Sequence, residues 1–190
     1  PGVIIQPKVK IGANTILYPN VSIYPLSIIG ENCRIHSHTT IGGDGFGYNF
    51  SEGKHLKVWH IGGVQIDNDV EIGASSCVDM GAFTKTTIGE GTKIDNFCQI
   101  SHNAKIGKHC IFCGRSGVSG SCRVEDFVVF GAGAGAAPNV HLKTGTQVAA
   151  CAIISENAVW GPKEVLAGHP AMPLKEYMRT QAKLRILAKK

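Results

Sequence analysis

The stretch IGEGTKIDNFCQISHNAKIGKHCIFCGRSGVSGSCRV (residues 88–124) places a large apolar residue at every sixth position. The same spacing extends back to Ile5 and forward to Trp160, with two interruptions. A helix repeats every 3.6 residues and a strand every two, so neither period explains this pattern. A fixed repeat of this kind indicates a β-helix, in which three hexads make one triangular coil of about 18 residues.

A second column of the repeat carries small or β-branched residues, four positions after each apolar anchor. In the quoted stretch these residues are Thr92, Cys98, Ala104, Cys110, Ser116 and Cys122. A large side chain inside a prism and a small one at its corner recur once per flat wall. We therefore predict an all-β fold over residues 1–161, a parallel β-helix of hexapeptide repeats whose coils stack at about 4.8 Å.

Two segments interrupt the repeat. Residues 43–65 begin with GDGFGY and form an excursion loop, and residues 83–87 lengthen the spacing between Val78 and Ile88. Loops that project from a rigid scaffold commonly carry the specificity of a site. We expect these loops to border the functional site; the alternative is that they are tolerated insertions.

The last segment, residues 162–190, is predicted to contain a basic amphipathic α-helix. Residues 174–190 hold six basic residues and one acidic residue, whereas the rest of the chain holds 13 of each. The whole net charge of +5 therefore lies in this tail. Such a helix suits the cap that a solenoid end requires, and it also offers a docking surface for an acidic protein. Nucleic acid is not an expected partner, because aromatic residues are not interleaved with the bases.

Composition argues against several other classes of protein. No apolar run reaches the roughly 18 residues of a membrane helix, so we expect no transmembrane segment. The seven cysteines mostly occupy the small corner column, and their odd number argues against a disulfide framework and for a reducing compartment. His55 and His60 have an HxxxxH spacing but lie in the excursion, so we predict no metal site. No dinucleotide or P-loop motif is present, and no cofactor is expected.

One histidine, His102, is predicted to stack beneath residues that lack bulky side chains. Residues one coil apart stack, so His102 lies below Gly120, with Pro138 one coil further. A histidine whose upper neighbours lack bulk faces an open groove, where a ligand can reach both the imidazole and the Gly120 amide. This pairing supplies a general base and an oxyanion donor, which acyl transfer requires. The alternative is a wall histidine packed between protomers.

The stretch VDMGAFTKTTIGEGTKIDNFCQISHNAKIG (residues 78–107), followed by GRSGVSGS (residues 114–121), resembles the UDP-3-O-(3-hydroxyacyl)glucosamine N-acyltransferases of lipid A biosynthesis. The GGDGFGY excursion and the terminal GHPAMPLKEYMRTQAKLRIL are similar to the same family. The DNxxQIxHN motif at residues 95–103 is more diagnostic than the hexads, which many acyltransferases share.

The resemblance implies a left-handed β-helix and an enzyme that moves a 3-hydroxyacyl chain from acyl carrier protein to the 2-amino group of UDP-3-O-acylglucosamine. His102 matches the family's general base, and the Gly120 amide matches its oxyanion donor. The other motif residues match positions that fix the imidazole tautomer or contact sugar or pantetheine: Asp95, Asn96, Gln99 and Asn103. The family is a homotrimer with active sites between neighbouring prisms, its carrier protein is acidic, and it uses no redox cofactor. The implied location is the cytoplasm, or an organellar stroma or matrix in a eukaryote.

The sequence departs from the family pattern at several places. Asn139 stands where the family has a second histidine, with His141 two residues further, and both are candidate substrate contacts. Met80 replaces the usual arginine of an IDRG motif, and Lys85 stands where acids are common. The chain begins at Pro1 with the repeat already in phase, so we expect a fragment or a processed form. The family's amino-terminal uridine-binding domain is absent from these 190 residues; the alternative is a natural protein without it, which would have weaker nucleotide affinity or a different substrate.

Three alternative functions are kept beside this one. The sister UDP-N-acetylglucosamine O-acyltransferase shares the fold and the base, although the DNFCQISHN and GDGFGY segments favour the N-acyl enzyme. A γ-class carbonic anhydrase requires three wall histidines, and only His102 is well placed. A non-catalytic or ice-binding solenoid would show a regular threonine array, whereas the outward positions here are irregular and charged.

Overall fold

The computed structural model describes residues 1–168 and 173–188. Successive strands of the prism belong in turn to the first, second and third of three parallel sheets, one for each wall. The first sheet contains β1 Ile4–Ile5, β4 Ser22–Ile23, β7 Thr40–Gly43, β12 Cys77–Asp79, β15 Gln99–Ile100, β18 Gly117–Val118, β21 Gly135–Ala136 and β24 Ile153–Ile154. The second contains β2 Lys10–Ile11, β5 Ser27–Ile29, β10 Val64–Ile66, β13 Thr86–Ile88, β16 Lys105–Ile106, β19 Arg123–Val124, β22 His141–Leu142 and β25 Val159–Trp160. The third contains β3 Ile16–Leu17, β6 Arg34–Ile35, β11 Glu71–Ile72, β14 Lys93–Ile94, β17 Ile111–Phe112, β20 Val129–Phe130, β23 Gln147–Val148 and β26 Val165–Leu166.

The register between coils follows the hexapeptide count. Ile100 of β15 pairs with Val118 of β18, which pairs in turn with Ala136 of β21. Where the chain is longer than one coil, the extra residues leave the prism and the next anchor returns to register, as when Ile66 pairs with Ile88. The predicted parallel β-helix of hexapeptide repeats is confirmed.

The anchors fill the interior of the prism and the small residues line its corners. The Phe112 and Phe130 rings stack one coil apart, with centroids 4.7 Å apart and planes 11° from parallel. Cys98 and Cys110 are buried at corners, where burial raises the pKa of both thiols, that of Cys110 to about 11. These cysteines are therefore thiols that serve as small apolar residues. Where the corner residue carries a hydroxyl, that hydroxyl hydrogen-bonds a backbone carbonyl of the turn, as when Thr92 donates to the Gly107 carbonyl at 2.9 Å.

Most corners of the prism turn through one residue in the left-handed region. Asn103 has φ of 62° and Asn139 has φ of 59°. Asparagine tolerates this conformation better than most residues, because its short side chain hydrogen-bonds locally. Asn103, which follows His102, therefore has a structural reason to be asparagine that is independent of any catalytic role.

The excursion begins after β7 and returns at β10. It contains an antiparallel hairpin of β8 Tyr48–Ser51 and β9 Lys54–Lys57, in which Tyr48 pairs with Lys57. The second interruption lies between β12 and β13. It contacts the next coil at the corner that contains Asn103, through hydrogen bonds with Ala82 and Thr86.

The prism extends to Leu166, where β26 stacks on β23, five residues past the boundary expected at residue 161. The predicted carboxy-terminal helix is confirmed as α1 Leu174–Leu187. Its apolar side chains Met178, Leu184, Ile186 and Leu187 are exposed, so none of these four is buried against the prism. His169, Pro170 and the two terminal lysines of the basic tail lie outside the described residues.

Candidate active site

His102 lies at the corner between the first and second sheets, directly beneath Gly120. The Ser121 amide donates to the His102 carbonyl at 3.0 Å, which fixes the two coils in register. A β-carbon built on Gly120 would lie 2.5 Å from His102 Cε1 and 2.7 Å from Nε2. Since real contacts of a β-carbon are not shorter than 3.0 Å, only glycine at this position leaves room for the imidazole.

The hydrogen bonds of Asn103 define the tautomer of His102. The Asn103 side-chain carbonyl accepts from the Ala82 amide at 3.1 Å, and its Nδ2 donates to the Thr84 carbonyl at 3.3 Å. These two backbone partners orient the amide so that its oxygen faces His102 Nδ1 at 3.1 Å. An oxygen acceptor requires a proton on Nδ1, so Nε2 carries the free lone pair of a general base. The second interruption thus supplies the groups that orient the base's partner.

The Gly120 amide is available as a donor. It is half-buried, and no acceptor for it lies within residues 1–168 and 173–188. The neighbouring amides of Ser119 and Ser121 donate across the coils to Ala136 and His102. An unpaired amide beside the lone pair of an imidazole is the arrangement that stabilises an oxyanion next to its base.

An open groove runs along the outer face of the first sheet beside this corner. Its lining includes Gln99, Ser101, Gly117, Ser119 and Ala137. Glycine at two successive positions of one column, in β18 and β21, keeps the floor of the groove flat. The groove can therefore admit an extended chain next to His102.

Gln99 leads to an acid that the sequence interpretation missed. Its Nε2 donates to Asp79 Oδ2 at 2.8 Å. Burial raises the pKa of the Asp79 carboxyl above its usual value. The hydrogen bond from Gln99 and the nearby rings of His102 and His60 lower that pKa, but by less than burial raises it. A half-buried acid with a raised pKa close to the candidate base is the kind of group that active sites contain. In the sequence, Asp79 is an ordinary outward position of the repeat, and only its place in VDMG, beside the altered IDRG arginine, marked it.

The excursion brings a second histidine to the base. The rings of His60 and His102 have centroids 5.1 Å apart and meet edge to face at 67°. His60 Nδ1 donates to the Val58 carbonyl at 3.0 Å and lies 3.1 Å from an Asp44 oxygen, and Lys57 pairs with the same carboxylate at 2.8 Å. Partial burial raises the pKa of Asp44, but the hydrogen bond and charge of Lys57 outweigh it and hold that pKa below its usual value.

Other candidate residues lie elsewhere on the prism. Asp95 and Asn96 occupy the corner between the third and first sheets, where they bind the amides of Gly114 at 3.0 Å and Ala74 at 2.7 Å. These hydrogen bonds stabilise turns of neighbouring coils. The structure therefore brings Asn103 and Gly120 to His102, joins Gln99 to Asp79, and leaves Asp95 and Asn96 on a different corner of the same chain.

Asn139 and His141 are also separate from the base. Asn139 lies in the column of Asn103, two coils above it, and its amide donates to the Gly120 carbonyl at 3.1 Å. His141 is in β22 of the second sheet and bonds Glu125 at 2.8 Å. The hydrogen bonds from His141 and Thr144 lower the pKa of Glu125 to about 2.

Among residues 1–168 and 173–188, no group of three or more histidine, cysteine, aspartate or glutamate side chains is arranged to hold a metal ion. In the same ranges no helix has both the length and the apolar character needed to span a bilayer.

Comparison with known proteins places this chain in a family. The sequence model described as bacterial transferase hexapeptide (six repeats) matches residues 8–43 and 85–120. A relative from Methylobacterium nodulans, named UDP-3-O-acylglucosamine N-acyltransferase, is 42% identical over 166 residues, which cover 85% of this chain and 46% of the relative. This chain belongs to the hexapeptide-repeat acyltransferases. The resemblance to the N-acyltransferase family seen in the sequence is confirmed.

Other members show how far the match extends. Proteins of the same name from Wolinella succinogenes and Helicobacter hepaticus are 40% and 42% identical, and the matches cover 92% and 96% of this chain. The corresponding shares of those relatives are 55% and 65%, so the chain spans about half to two thirds of their length. A solved UDP-N-acetylglucosamine acyltransferase from Francisella novicida has a TM-score of 0.67 at 20% identity over 80% of this chain and 61% of its own. This last likeness shows the shared fold.

Proposed function

We propose that this chain is the acyltransferase portion of an enzyme that moves a 3-hydroxyacyl group from acyl carrier protein to the 2-amino group of UDP-3-O-acylglucosamine, a step of lipid A biosynthesis. The observation that carries the proposal is the pairing of His102 with Gly120. The Asn103 oxygen at Nδ1 leaves the lone pair of the imidazole on Nε2, and the ring lies against Gly120, whose amide has no acceptor among the described residues. The name of the relatives, at about 40% identity, supports the choice of substrates.

The chemistry follows from these two groups. His102 Nε2 removes a proton from the sugar amine as the amine nitrogen attacks the thioester carbonyl carbon. The carbonyl oxygen becomes an oxyanion, which accepts a hydrogen bond from the Gly120 amide. When the intermediate collapses, the carbon–sulfur bond breaks and the carrier thiolate takes the proton from Nε2. The products are an amide and the free carrier thiol, and the histidine returns to its starting form.

The groove of the first sheet suits the acyl chain or the pantetheine arm of the donor, because its glycine floor is flat and leads to the base. We propose that the active unit is a homotrimer, in which a neighbouring prism closes this open groove. Asp95 and Asn96, on another corner, would then contact the site of the neighbouring chain. The basic tail is the proposed docking surface for the acidic carrier protein, and the proposed compartment is the cytoplasm.

A matched pair of substitutions tests the base. His102→Asn keeps a donor for the Asn103 oxygen but removes Nε2, and we expect transfer to fall by roughly 10²-fold to 10⁴-fold. His109→Asn changes an exposed histidine at the next corner, whose φ of 52° suits asparagine, and should leave transfer unchanged. Both proteins should keep the oligomeric state and melting temperature of the parent. Transfer that survives in His102→Asn contradicts the assignment of the base.

A further inference from the structure

His60 is unusual among the histidines because it is buried while the loop that carries it is exposed. Its side chain is 1% exposed, whereas those of His36 and His141 are 35% and 27% exposed. The residues of β8 and β9 are almost all exposed, so the hairpin has no core of its own. The excursion therefore makes its main buried polar contact where His60 meets His102.

Two glycines of the GDGFGY motif make room for this contact. A β-carbon on Gly45 would lie 2.7 Å from both His60 Nε2 and His102 Cβ. A β-carbon on Gly47 would lie 2.7 Å from His60 Cε1. Any side chain at either position would push His60 out of its place. The motif thus forms a cradle for one imidazole against the other.

The orientation of the His60 ring is defined by its own partners. Nδ1 faces two oxygens, the Val58 carbonyl and the Asp44 carboxylate, so this nitrogen carries the proton. The opposite edge of the ring, with Cδ2 and Nε2, lies against Gly45, at the place where Gly45 also approaches His102 Cβ. A ring held on one side by fixed acceptors can restrain the ring it touches on the other.

We infer that His60 is a positioning residue, which holds the imidazole of His102 in the orientation that points Nε2 to Gly120. The inference rests on the proposed function for its kinetic test. Asn103 fixes which nitrogen is protonated, while the edge of His60 and the bare backbone of Gly45 limit rotation of the ring. His60 contacts the ring of the candidate base, and it comes from the excursion rather than from the coils stacked above His102.

Two substitutions separate the hydrogen bond made by His60 Nδ1 from the packing of the ring edge that carries Nε2. His60→Asn retains a donor at the place of Nδ1 and so keeps the bond to the Val58 carbonyl, but it deletes the edge that meets His102. His60→Gln retains an atom at the place of Nε2 and so keeps that edge. We expect kcat to fall about tenfold in His60→Asn with KM within about twofold, because small displacements of a catalytic group cost rate. His60→Gln should keep most of the parental kcat, and so should His55→Ala, a control on the exposed part of the same hairpin.

A second measurement does not depend on turnover. Nitrogen-15 spectra of histidine-labelled full-length chain report which His102 nitrogen is protonated, with His102→Asn used to assign the signals. We expect a single Nδ1–H form in the parent and in His60→Gln, and a mixture of forms in His60→Asn. Parental kcat with unchanged His102 signals in His60→Asn would overturn the inference. If the parent transfers no acyl group, the proposed function fails, and the spectra alone decide the role of His60.

Discussion

Adding one methyl group at Gly120 should disable the base while leaving the fold intact. In Gly120→Ala the new carbon would lie 2.5 Å from His102 Cε1, and ordinary contact begins at 3.4 Å. The imidazole must therefore move by about 0.9 Å, since the carbon belongs to backbone held by the coils on either side. A misplacement of about 1 Å costs roughly 10²-fold in rate, which corresponds to about 2.7 kcal/mol in the activation free energy.

The assay is the initial rate of amide formation, with kcat and KM measured separately and unfolding followed by circular dichroism. Gly120 does not have the left-handed φ that penalises alanine, so we expect the melting temperature to shift by only a few degrees. Gly168→Ala is the control, because among the described residues no atom beyond its chain neighbours lies within 4 Å of its β-carbon. If Gly120→Ala keeps kcat within twofold of the parent, the closeness of Gly120 to the base has no catalytic meaning.

Three further changes test the partner of the base, the core and the acid response. Asn103→Gly keeps the left-handed corner but deletes the acceptor for His102 Nδ1, so kcat should fall at least about tenfold; an unchanged kcat contradicts the tautomer assignment. Phe112→Ala removes one of two stacked core rings and should lower the free energy of unfolding by about 3–5 kcal/mol in urea titrations, and a loss below about 1 kcal/mol would contradict the packing. Glu125, whose folded pKa of about 2 lies below its ordinary value of 4.5, stabilises the fold above about pH 4.5, and this contribution disappears as the pH falls towards 2. Glu125→Gln should therefore be less stable than the parent at pH 6 and equal to it near pH 2, and a pH-independent difference would refute the role of the His141 pair.

The repeat predicts the scaffold well because it is a local property. Each hexad specifies one wall, one buried anchor and one corner, so counting along the chain also predicts which residues stack. In this way the pairing of His102 with Gly120 could be found without any structure.

Nearness within the DNxxQIxHN motif is a poorer guide to nearness in space. Asp95 and His102 are seven positions apart, which is more than one wall, so the chain turns a corner between them. The motif therefore spans two corners of the prism, and its first two residues bind turns rather than the base.

The excursion has no period from which its path could be counted. His60 was visible as half of an HxxxxH spacing, but His55 is exposed on the hairpin and His60 is buried against His102. The useful signal was the glycines of GDGFGY, since residues without a β-carbon mark close approach. The glycines indicate that another group packs closely against the loop backbone, but only the folded structure shows that this group is His60 together with His102.

The identity of the product tests the central claim most directly. The chain, alone and joined to the part of its longer relatives that it does not cover, is incubated with 3-hydroxyacyl carrier proteins of several chain lengths and with either UDP-3-O-acylglucosamine or UDP-N-acetylglucosamine. Mass spectrometry after mild base treatment then shows whether the newly added acyl group stays on the sugar, as an amide does, or is cleaved, as an ester is. The ester already present on UDP-3-O-acylglucosamine is lost in either case. We predict an amide on the acylated amino sugar, formed by the parent and lost in His102→Asn. An ester on UDP-N-acetylglucosamine, or an amide that still forms without His102, would contradict the account.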